Sequence, residues 1–255
     1  MKISVITALY NREKTIARAL ESIKSQSYLN IEKVIIDGDS NDSSMSIIEQ
    51  FVNDTDICIS EKDEGLYDAL NKGIASATGD VLAFLHSDDV YFDKFVIEKV
   101  VSIFFETGAD IVYGDACFFR KENVDQIIRN YRSDKLTIKN LAWGKMPAHT
   151  AMFINKKVYK KFGAFKKGYQ ICADYEFLCR IAKDPELKSV YLPQPLIKMQ
   201  TGGVSTGGIK NTILLNKEVL KACLDNNIKT NMMMILSKYP SKLLQFIKPR
   251  IKLKI

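Results

Sequence analysis

The sequence lacks both phosphate-cradling glycine signatures: no G-x-G-x-x-G follows its first strand, and no G-x-x-x-x-G-K-[ST] occurs anywhere. Those absences argue against a dinucleotide dehydrogenase and a P-loop enzyme. No apolar run approaches the length of a membrane span. No internal repeat and no long low-complexity segment is present, so neither a solenoid nor a disordered chain is expected. The five cysteines (Cys58, Cys117, Cys172, Cys179, Cys223) are odd in number and form no C-x-x-C pair. They predict small core residues in a reducing compartment rather than a disulfide frame or a zinc site. The opening Met1-Lys2-Ile3-Ser4-Val5-Ile6 has no signal-peptide pattern, so a cytosolic location is expected. Acidic residues are missing after Asp225, and the basic residues from Lys229 onward carry the whole net charge of +7. The body is therefore neutral, unlike a nucleic-acid-binding domain with a basic face.

What is present is a chain of 255 residues with 46% hydrophobic content, enough to bury a sizeable core in one large α/β domain or two small ones. Residues 2–7 read as a strand, followed by a polar turn and a helix with Ile16, Leu20 and Ile23 on one face. Glu32 to Ile36 read as a second strand and Ile57 to Ile59 as a third, each followed by an acid-rich turn and a helix. Val81 to Leu85 form a short apolar run that reads as a fourth, buried strand. This βαβαβαβ order predicts a parallel, doubly wound sheet. Beyond it come a helix through Val96 and Val100, a strand at Asp110 to Tyr113, and a hairpin from Cys117–Phe119 and Val124–Tyr131. A loop-rich connection over 137–147, holding Trp143, then leads to a strand at Ala151 to Ile154. A strand pair is expected around Pro193 and Pro195. The change to a mixed sheet suits a region that shapes an acceptor pocket.

In each early unit the polar cluster follows the strand and precedes the helix. Asp37 and Asp39, Asp63, and Asp88 with Asp89 are thus expected along one sheet edge, where open α/β sheets bind ligands. A lone Ser87-Asp88-Asp89 reads better as a solvated, helix-capping turn. Three acidic clusters at equivalent strand ends read as a crevice, and an acidic pair there can hold a hard cation and, through it, phosphates.

Three later stretches stay ambiguous on residues alone. Asp174 falls on the stripe of Phe177, Leu178 and Ile181 at the start of a helix. It is either an ordinary carboxylate at a helix N-terminus or one that needs a cleft or a partner. The run 201–208, with four glycines, reads as a linker, and otherwise as a loop closing over phosphate. The tail alternates Met232–Leu236, Leu243-Leu244 and Phe246-Ile247 with lysines. It is a C-terminal helix packed on the domain or an anchor on an anionic membrane surface, and the absence of acid tips the reading to the membrane.

Ordered motifs then carry a resemblance over roughly residues 1–208. They are Ser4-Val5-Ile6-Thr7 with Tyr10-Asn11, Asp37-Gly38-Asp39-Ser40, Asp63-Glu64-Gly65-Leu66-Tyr67-Asp68-Ala69-Leu70-Asn71-Lys72-Gly73, and Ala77-Thr78-Gly79-Asp80. Ser87-Asp88-Asp89, His149, Phe162-Gly163-Ala164-Phe165, Ala173-Asp174-Tyr175-Glu176 and Gly202-Gly203-Val204-Ser205 complete the set. The chain resembles an inverting family 2 glycosyltransferase with the GT-A fold, most of all the branch that assembles bacterial O-antigen, capsule and colanic acid repeat units.

The resemblance implies an α/β fold in which a mostly parallel, Rossmann-like nucleotide-binding sheet merges into a mixed acceptor region. It divides the chain into a GT-A domain at 1–208, with a nucleotide-sugar half at 1–114 and an acceptor half at 115–208. Helices and a basic, membrane-associating tail follow at 209–255. Thr7, Leu9, Tyr10 and Glu13 would line the nucleotide pocket, Asp39 would bond the uracil, and Asp63 with Lys72 would complete the base and ribose site. Asp88 would face the ribose or sugar, Asp89 would bind Mg²⁺ or Mn²⁺, and Asp174 would be the catalytic base. His149, Trp143, Gly202, Gly203 and Ser205 are acceptor or loop candidates. The motif departs from its relatives in having Ser87 as its first residue, and Ala8-Leu9 stand where many relatives have a proline.

The implied activity is metal-dependent transfer of a hexose or N-acetylhexosamine from a UDP-sugar to a polyprenyl-diphosphate-linked saccharide. The implied setting is the inner face of the cell membrane, with no nucleic-acid partner. The alternatives are a sugar nucleotidyltransferase, for which Thr7 to Glu13 lacks the glycine-rich loop, and a non-catalytic membrane-docked module that binds saccharide or nucleotide.

Overall fold

The computed structural model describes residues 1–121, 123–133, 135–202 and 208–239. Gly203 and Ser205, and the apolar–basic run after Tyr239, lie outside the described residues. Parallel pairing joins β1 (Ile3–Leu9) to β2 (Ile31–Asp37) and to β4 (Val81–Phe84), and β2 to β3 (Ile57–Ser60). Between these strands run α1 (Ile16–Lys24), α2 (Ser44–Ile48) and α3 (Leu66–Ser76), as right-handed crossovers require. All seven residues of β1 are buried, as expected of a central strand covered on both faces. Ile6 and Ala8 face one core layer with α3, and Ile3, Val5 and Leu9 face the other with α1. Gly73 in α3 lies against Ile6, where a Cβ would collide, so the missing side chain lets that helix close on the sheet.

The second half adds β5 (Val90–Tyr91), α4 (Val96–Thr107), β6 (Ile111–Arg120), β7 (Asn123–Tyr131), α5 (Ile138–Ala142) and β8 (Met152–Asn155). It continues with α6 (Lys156–Phe162), α7 (Ala173–Ile181), β9 (Ser189–Gln200), α8 (Ile209–Asp225) and α9 (Met232–Leu236). Among the described residues the nine strands form one sheet in the order β3-β2-β1-β4-β8-β6-β9-β5, with β7 paired to β6. β8 runs antiparallel to both β4 and β6, which marks the change from parallel to mixed sheet.

Three local readings change. Asp110–Tyr113 and Cys117–Phe119 belong to one long strand, because β6 keeps its pairing with β9 throughout. The expected strand pair around Pro193 and Pro195 is likewise the single strand β9. Its prolines fall where the register with β6 slips, between Gly114 and Ala116, so no ladder hydrogen bond from a proline is needed. The stretch 137–147 holds a helical turn, α5, started by the Thr137 hydroxyl accepting the Asn140 N–H. All five cysteines are free, and only Cys58 is exposed.

Candidate active site

Because β1, β2, β3 and β4 run parallel, their C-terminal ends share one edge, and the acidic turns gather there. Asp37 ends β2 fully buried, so its carboxylate must be satisfied internally. It accepts from the Ser40 N–H at 2.9 Å, from the Ser40 hydroxyl at 2.5 Å and from the Ser60 hydroxyl at 2.7 Å. The turns after β1 and β2 are then zipped together. The Asn11 N–H donates to Ser40 Oγ at 2.8 Å, the Asn41 N–H to Asn11 Oδ1 at 3.0 Å, and the Ser43 N–H to Glu13 Oε2 at 3.1 Å. Asn11 and Asp39 both have positive φ, which short polar side chains tolerate.

Asp63 reaches this junction from β3. Its Oδ1 accepts the Gly65 N–H at 2.8 Å, and its Oδ2 lies against Gly38, whose N–H bonds the Leu9 carbonyl at 2.9 Å. Thus Leu9, Gly38 and Asp63 converge, with Asp39 next to Gly38 in the chain and the exposed Tyr10 next to Leu9. Thr7 is buried, and its hydroxyl has no hydrogen-bond partner among the described residues. Lys72 pairs with Glu61 at 2.8 Å and donates to the Lys62 carbonyl at 2.9 Å, so it holds the loop that carries Asp63. Glu13 likewise spends a carboxylate oxygen on the neighbouring turn.

The end of β4 supplies the second wall. Asp89 is buried, and its Oδ1 accepts the Gln200 N–H at 3.0 Å. Burial and the adjacent Asp88 push its carboxyl well above the usual range, although Gln200 and Arg18 act the other way. Arg18 donates through Nη2 to the Asp88 carbonyl at 2.9 Å and to Gln200 Oε1 at 2.8 Å. It also stacks over Phe119, 4.9 Å from the ring centre. A buried carboxylate so short of positive charge is suited to a divalent cation. Among the described residues no group of three His, Cys, Asp or Glu gathers. Mg²⁺ or Mn²⁺ can be held by one or two carboxylates that share the ion with substrate phosphates and water. Asp89 and Asp88 are the residues that fit it.

Both histidines of the chain lie in the same crevice. His149 stacks on Phe84 of β4 at 4.7 Å, and the His86 ring lies nearly parallel to it at 6.3 Å. Burial and the neighbouring His149 bring His86 down to about 4, against the opposing pull of Asp88 and Asp174. Burial also lowers His149, again opposed by Asp174. His149 Nε2 has no hydrogen-bond partner among the described residues. Asp174 is linked to this cluster through Tyr67, whose hydroxyl it accepts and whose ring packs on Phe165, itself against His149.

Asp174 sits in the first turn of α7. Its Oδ1 accepts the Tyr67 hydroxyl at 2.9 Å and the Tyr175 N–H at 2.8 Å. The helix is buried nearly all round rather than along one stripe, and even Glu176 is enclosed, paired with Arg180 and Lys166. The carboxylate on its inward side has therefore found the partner that its position required.

A family model described as glycosyl transferase family 2 matches residues 4–167, well over half of the chain. The chain belongs to glycosyltransferase family 2. A glycosyltransferase named for PGL/p-HBAD biosynthesis in Mycobacterium bovis is 28% identical over 225 residues, covering 86% of this chain and 82% of that protein. An uncharacterised Mycobacterium tuberculosis glycosyltransferase is 30% identical over 182 residues, covering 71% and 68%. S. aureus TarS in complex with UDP-GlcNAc superposes with a TM-score of 0.69 at 17% identity, over 99% of this chain and 77% of that one. The Pyrobaculum calidifontis mannosyltransferase with GDP-Man and Mn²⁺ gives 0.66 at 16% identity, over 93% and 68%. These structures share the GT-A fold of this glycosyltransferase. Membership of a glycosyltransferase family favours glycosyl transfer over the nucleotidyltransferase and non-catalytic alternatives.

Not every expected residue joins the crevice. Trp143 follows α5 beside Gly144, which packs on Ile235 and Lys238 around α9, and no contact among the described residues links it to the site. Gly202, with φ of 99°, lies two residues past Gln200 and so near Asp89. Arg18, His86, Gln200 and Glu218 were not singled out by sequence reasoning. Only His86, immediately before the acidic motif, carried a local signal.

Proposed function

We propose that the protein transfers a hexose or N-acetylhexosamine from a UDP-sugar to a lipid-linked saccharide, with inversion, in bacterial surface polysaccharide synthesis. The observation that carries this reading is the gathering, at one end of the sheet, of the Asp39–Asp63 junction, the half-buried Asp88 with the buried Asp89, and Asp174, one of whose carboxylate oxygens makes no hydrogen bond among the described residues. On this reading Thr7, Leu9, Tyr10, Glu13, Asp39, Asp63 and Lys72 shape the nucleotide pocket, and Asp88 faces the sugar. Bound by Asp89, Mg²⁺ or Mn²⁺ would offset the charge that grows on the departing diphosphate. Asp174 takes the proton of the acceptor hydroxyl as its oxygen bonds the anomeric carbon. The bond to the nucleoside diphosphate breaks on the opposite face, so a single displacement inverts the configuration. His86 and His149, both neutral near pH 7, add no charge and can only offer or accept hydrogen bonds beside the leaving group.

The UDP-GlcNAc complex of TarS and the Mn²⁺ complex of the Pyrobaculum enzyme support the donor and metal classes. The name of the mycobacterial relative supports a biosynthetic glycosylation. No helix among the described residues is long and apolar enough to cross a membrane. The basic tail supports peripheral attachment at the inner face of the cell membrane. The test is a screen of UDP-, GDP- and dTDP-sugars for nucleoside diphosphate release with Mn²⁺ and a polyprenyl-diphosphate-linked acceptor. Release only from a UDP-sugar is expected. Wild-type turnover in both Asp89→Ala and Asp174→Ala would overturn the site assignment.

A further inference from the structure

Two side chains far apart in sequence converge on Asp174 and on the backbone that leads into it. The Tyr67 hydroxyl, from the first turn of α3, lies 2.6 Å from the Ile171 carbonyl and 2.9 Å from Asp174 Oδ1. From the other side the Glu218 carboxylate of α8 accepts three consecutive backbone N–H groups. Those of Gln170 (2.7 Å), Ile171 (2.9 Å) and Cys172 (2.9 Å) all point at it. Glu218 is 7% exposed, so its charge is committed to those donors rather than to solvent. The same loop is fastened to α8 by the Tyr169 hydroxyl on Asp225 at 2.8 Å and by Lys221 over the Tyr169 ring. Glu218 lies beyond the matched family residues, which end at 167, and nothing in the transfer chemistry itself requires it.

We propose that Tyr67 and Glu218 are positioning residues for Asp174: Glu218 fixes the backbone entering α7, and Tyr67 fixes Oδ1, so that Oδ2 is presented to the acceptor hydroxyl. This rests on the reading of Asp174 as the base. The Tyr67 hydroxyl has one proton for two acceptors, and an ionised carboxylate draws it more strongly than a neutral carbonyl. Burial and the charge of Asp174 raise the Tyr67 hydroxyl well above its ordinary range, so it stays a donor at any working pH. With Oδ1 held twice, by Tyr67 and by the Tyr175 N–H, the carboxylate cannot turn about its Cβ–Cγ bond without breaking both contacts. Oδ2 makes no hydrogen bond among the described residues. The C-terminal helix α8 thereby becomes part of the catalytic apparatus, because misplacing a reacting group by about 1 Å can cost on the order of a hundredfold in rate.

The experiment measures UDP release by the full chain from the UDP-sugar that it turns over, with Mn²⁺, for Tyr67→Phe, Glu218→Ala, Glu218→Gln and Asp174→Asn. Calorimetry with UDP and the urea midpoint accompany each variant. Tyr67→Phe keeps the ring in place and is expected to lower kcat about 10- to 100-fold while the donor KM and the UDP affinity stay within about twofold. Glu218→Ala should lower kcat similarly. Glu218→Gln, which retains one acceptor oxygen, should recover part of the loss. A Tyr67→Phe kcat within twofold of wild type overturns the proposal, as does a loss in Tyr67→Phe that appears in donor KM rather than kcat. Should Glu218→Ala fail to fold, the Tyr67→Phe result decides alone. Asp174→Asn separates the two ideas: wild-type turnover there defeats the base assignment, whereas an inactive Asp174→Asn beside a fully active Tyr67→Phe defeats the positioning clamp only.

Discussion

Gly38 and Asp63 touch so closely that a Cβ on Gly38 would lie 2.6 Å from Asp63 Oδ2. Asp63 is tied to the Gly65 N–H by its other oxygen, so it cannot retreat without giving up that bond. Gly38→Ala is therefore expected to weaken UDP binding about tenfold, roughly 1.4 kcal/mol. Calorimetry checks this, and an unchanged affinity would remove Asp63 from the nucleotide pocket.

Asp89→Asn preserves an acceptor for the Gln200 N–H while deleting the buried charge. If Asp89 holds the cation, the Mn²⁺-dependent gain in UDP affinity disappears and turnover drops about a hundredfold or more. The metal-free unfolding midpoint should stay level or rise, because a carboxyl whose ionisation is opposed by burial no longer has to be accommodated. Retained Mn²⁺ dependence would move the metal to other ligands.

The two histidines make a clean spectroscopic test, since no others contribute signals. Burial first, then the neighbouring imidazole, lowers His86 to about 4. The His86 ring should therefore remain neutral from pH 8 down to about 5.5, without a titration midpoint near 6.5, and the His149 midpoint should fall below the ordinary histidine value. Long-range proton–nitrogen NMR spectra follow this directly. A midpoint near 6.5 for His86 would mean that the crevice is more open to water than its stacking on His149 implies.

Glu32 offers a stability test away from the chemistry. Burial raises its carboxyl, but hydrogen bonds from Lys2, Ser4 and Thr78 outweigh burial and bring it from 4.5 down to about 2. Because the folded value is depressed, the contribution is present above about pH 4.5 and is lost as the pH falls toward 2. Glu32→Ala should cost about 2–3 kcal/mol at pH 7, since it leaves the buried Ser4 hydroxyl without its acceptor and removes the Lys2 and Thr78 contacts. Urea unfolding at pH 7 and pH 3 checks the sign, as the difference between variant and wild type should shrink at the lower pH.

A cut after Tyr239 tests the tail while leaving every described residue in the chain. Ile235 of α9 is buried and Asn216 donates to the Tyr239 hydroxyl at 2.7 Å, so a chain ending at Tyr239 keeps that packing. Sedimentation with vesicles containing an anionic phospholipid should fall severalfold for this truncation, and UDP affinity should not change. Equal sedimentation of both forms would reject the anchor.

Much of the fold was legible locally. Apolar runs of four to seven residues separated by helices with a 3.6-residue stripe specify parallel strands and crossovers from covalent geometry alone. Parallel strands put all their C-terminal turns on one edge, so the alignment of Asp39, Asp63 and Asp89 followed from the order of elements. Local pattern failed where a partner strand overrode it: β9 passes two prolines as one strand because β6 gives up register there.

The sequence by itself determined that there is an acidic strand-end crevice and which family motifs occupy it, because those features are set by residues near one another in the chain. Only the tertiary structure decided what Asp174 meets. Its Tyr67 partner lies 107 positions away, and Glu218, which holds the preceding backbone, lies on a helix whose apolar pattern says only that it packs. Such partners are chosen by how closely packed helices meet across a core, and no periodicity within either segment records the choice.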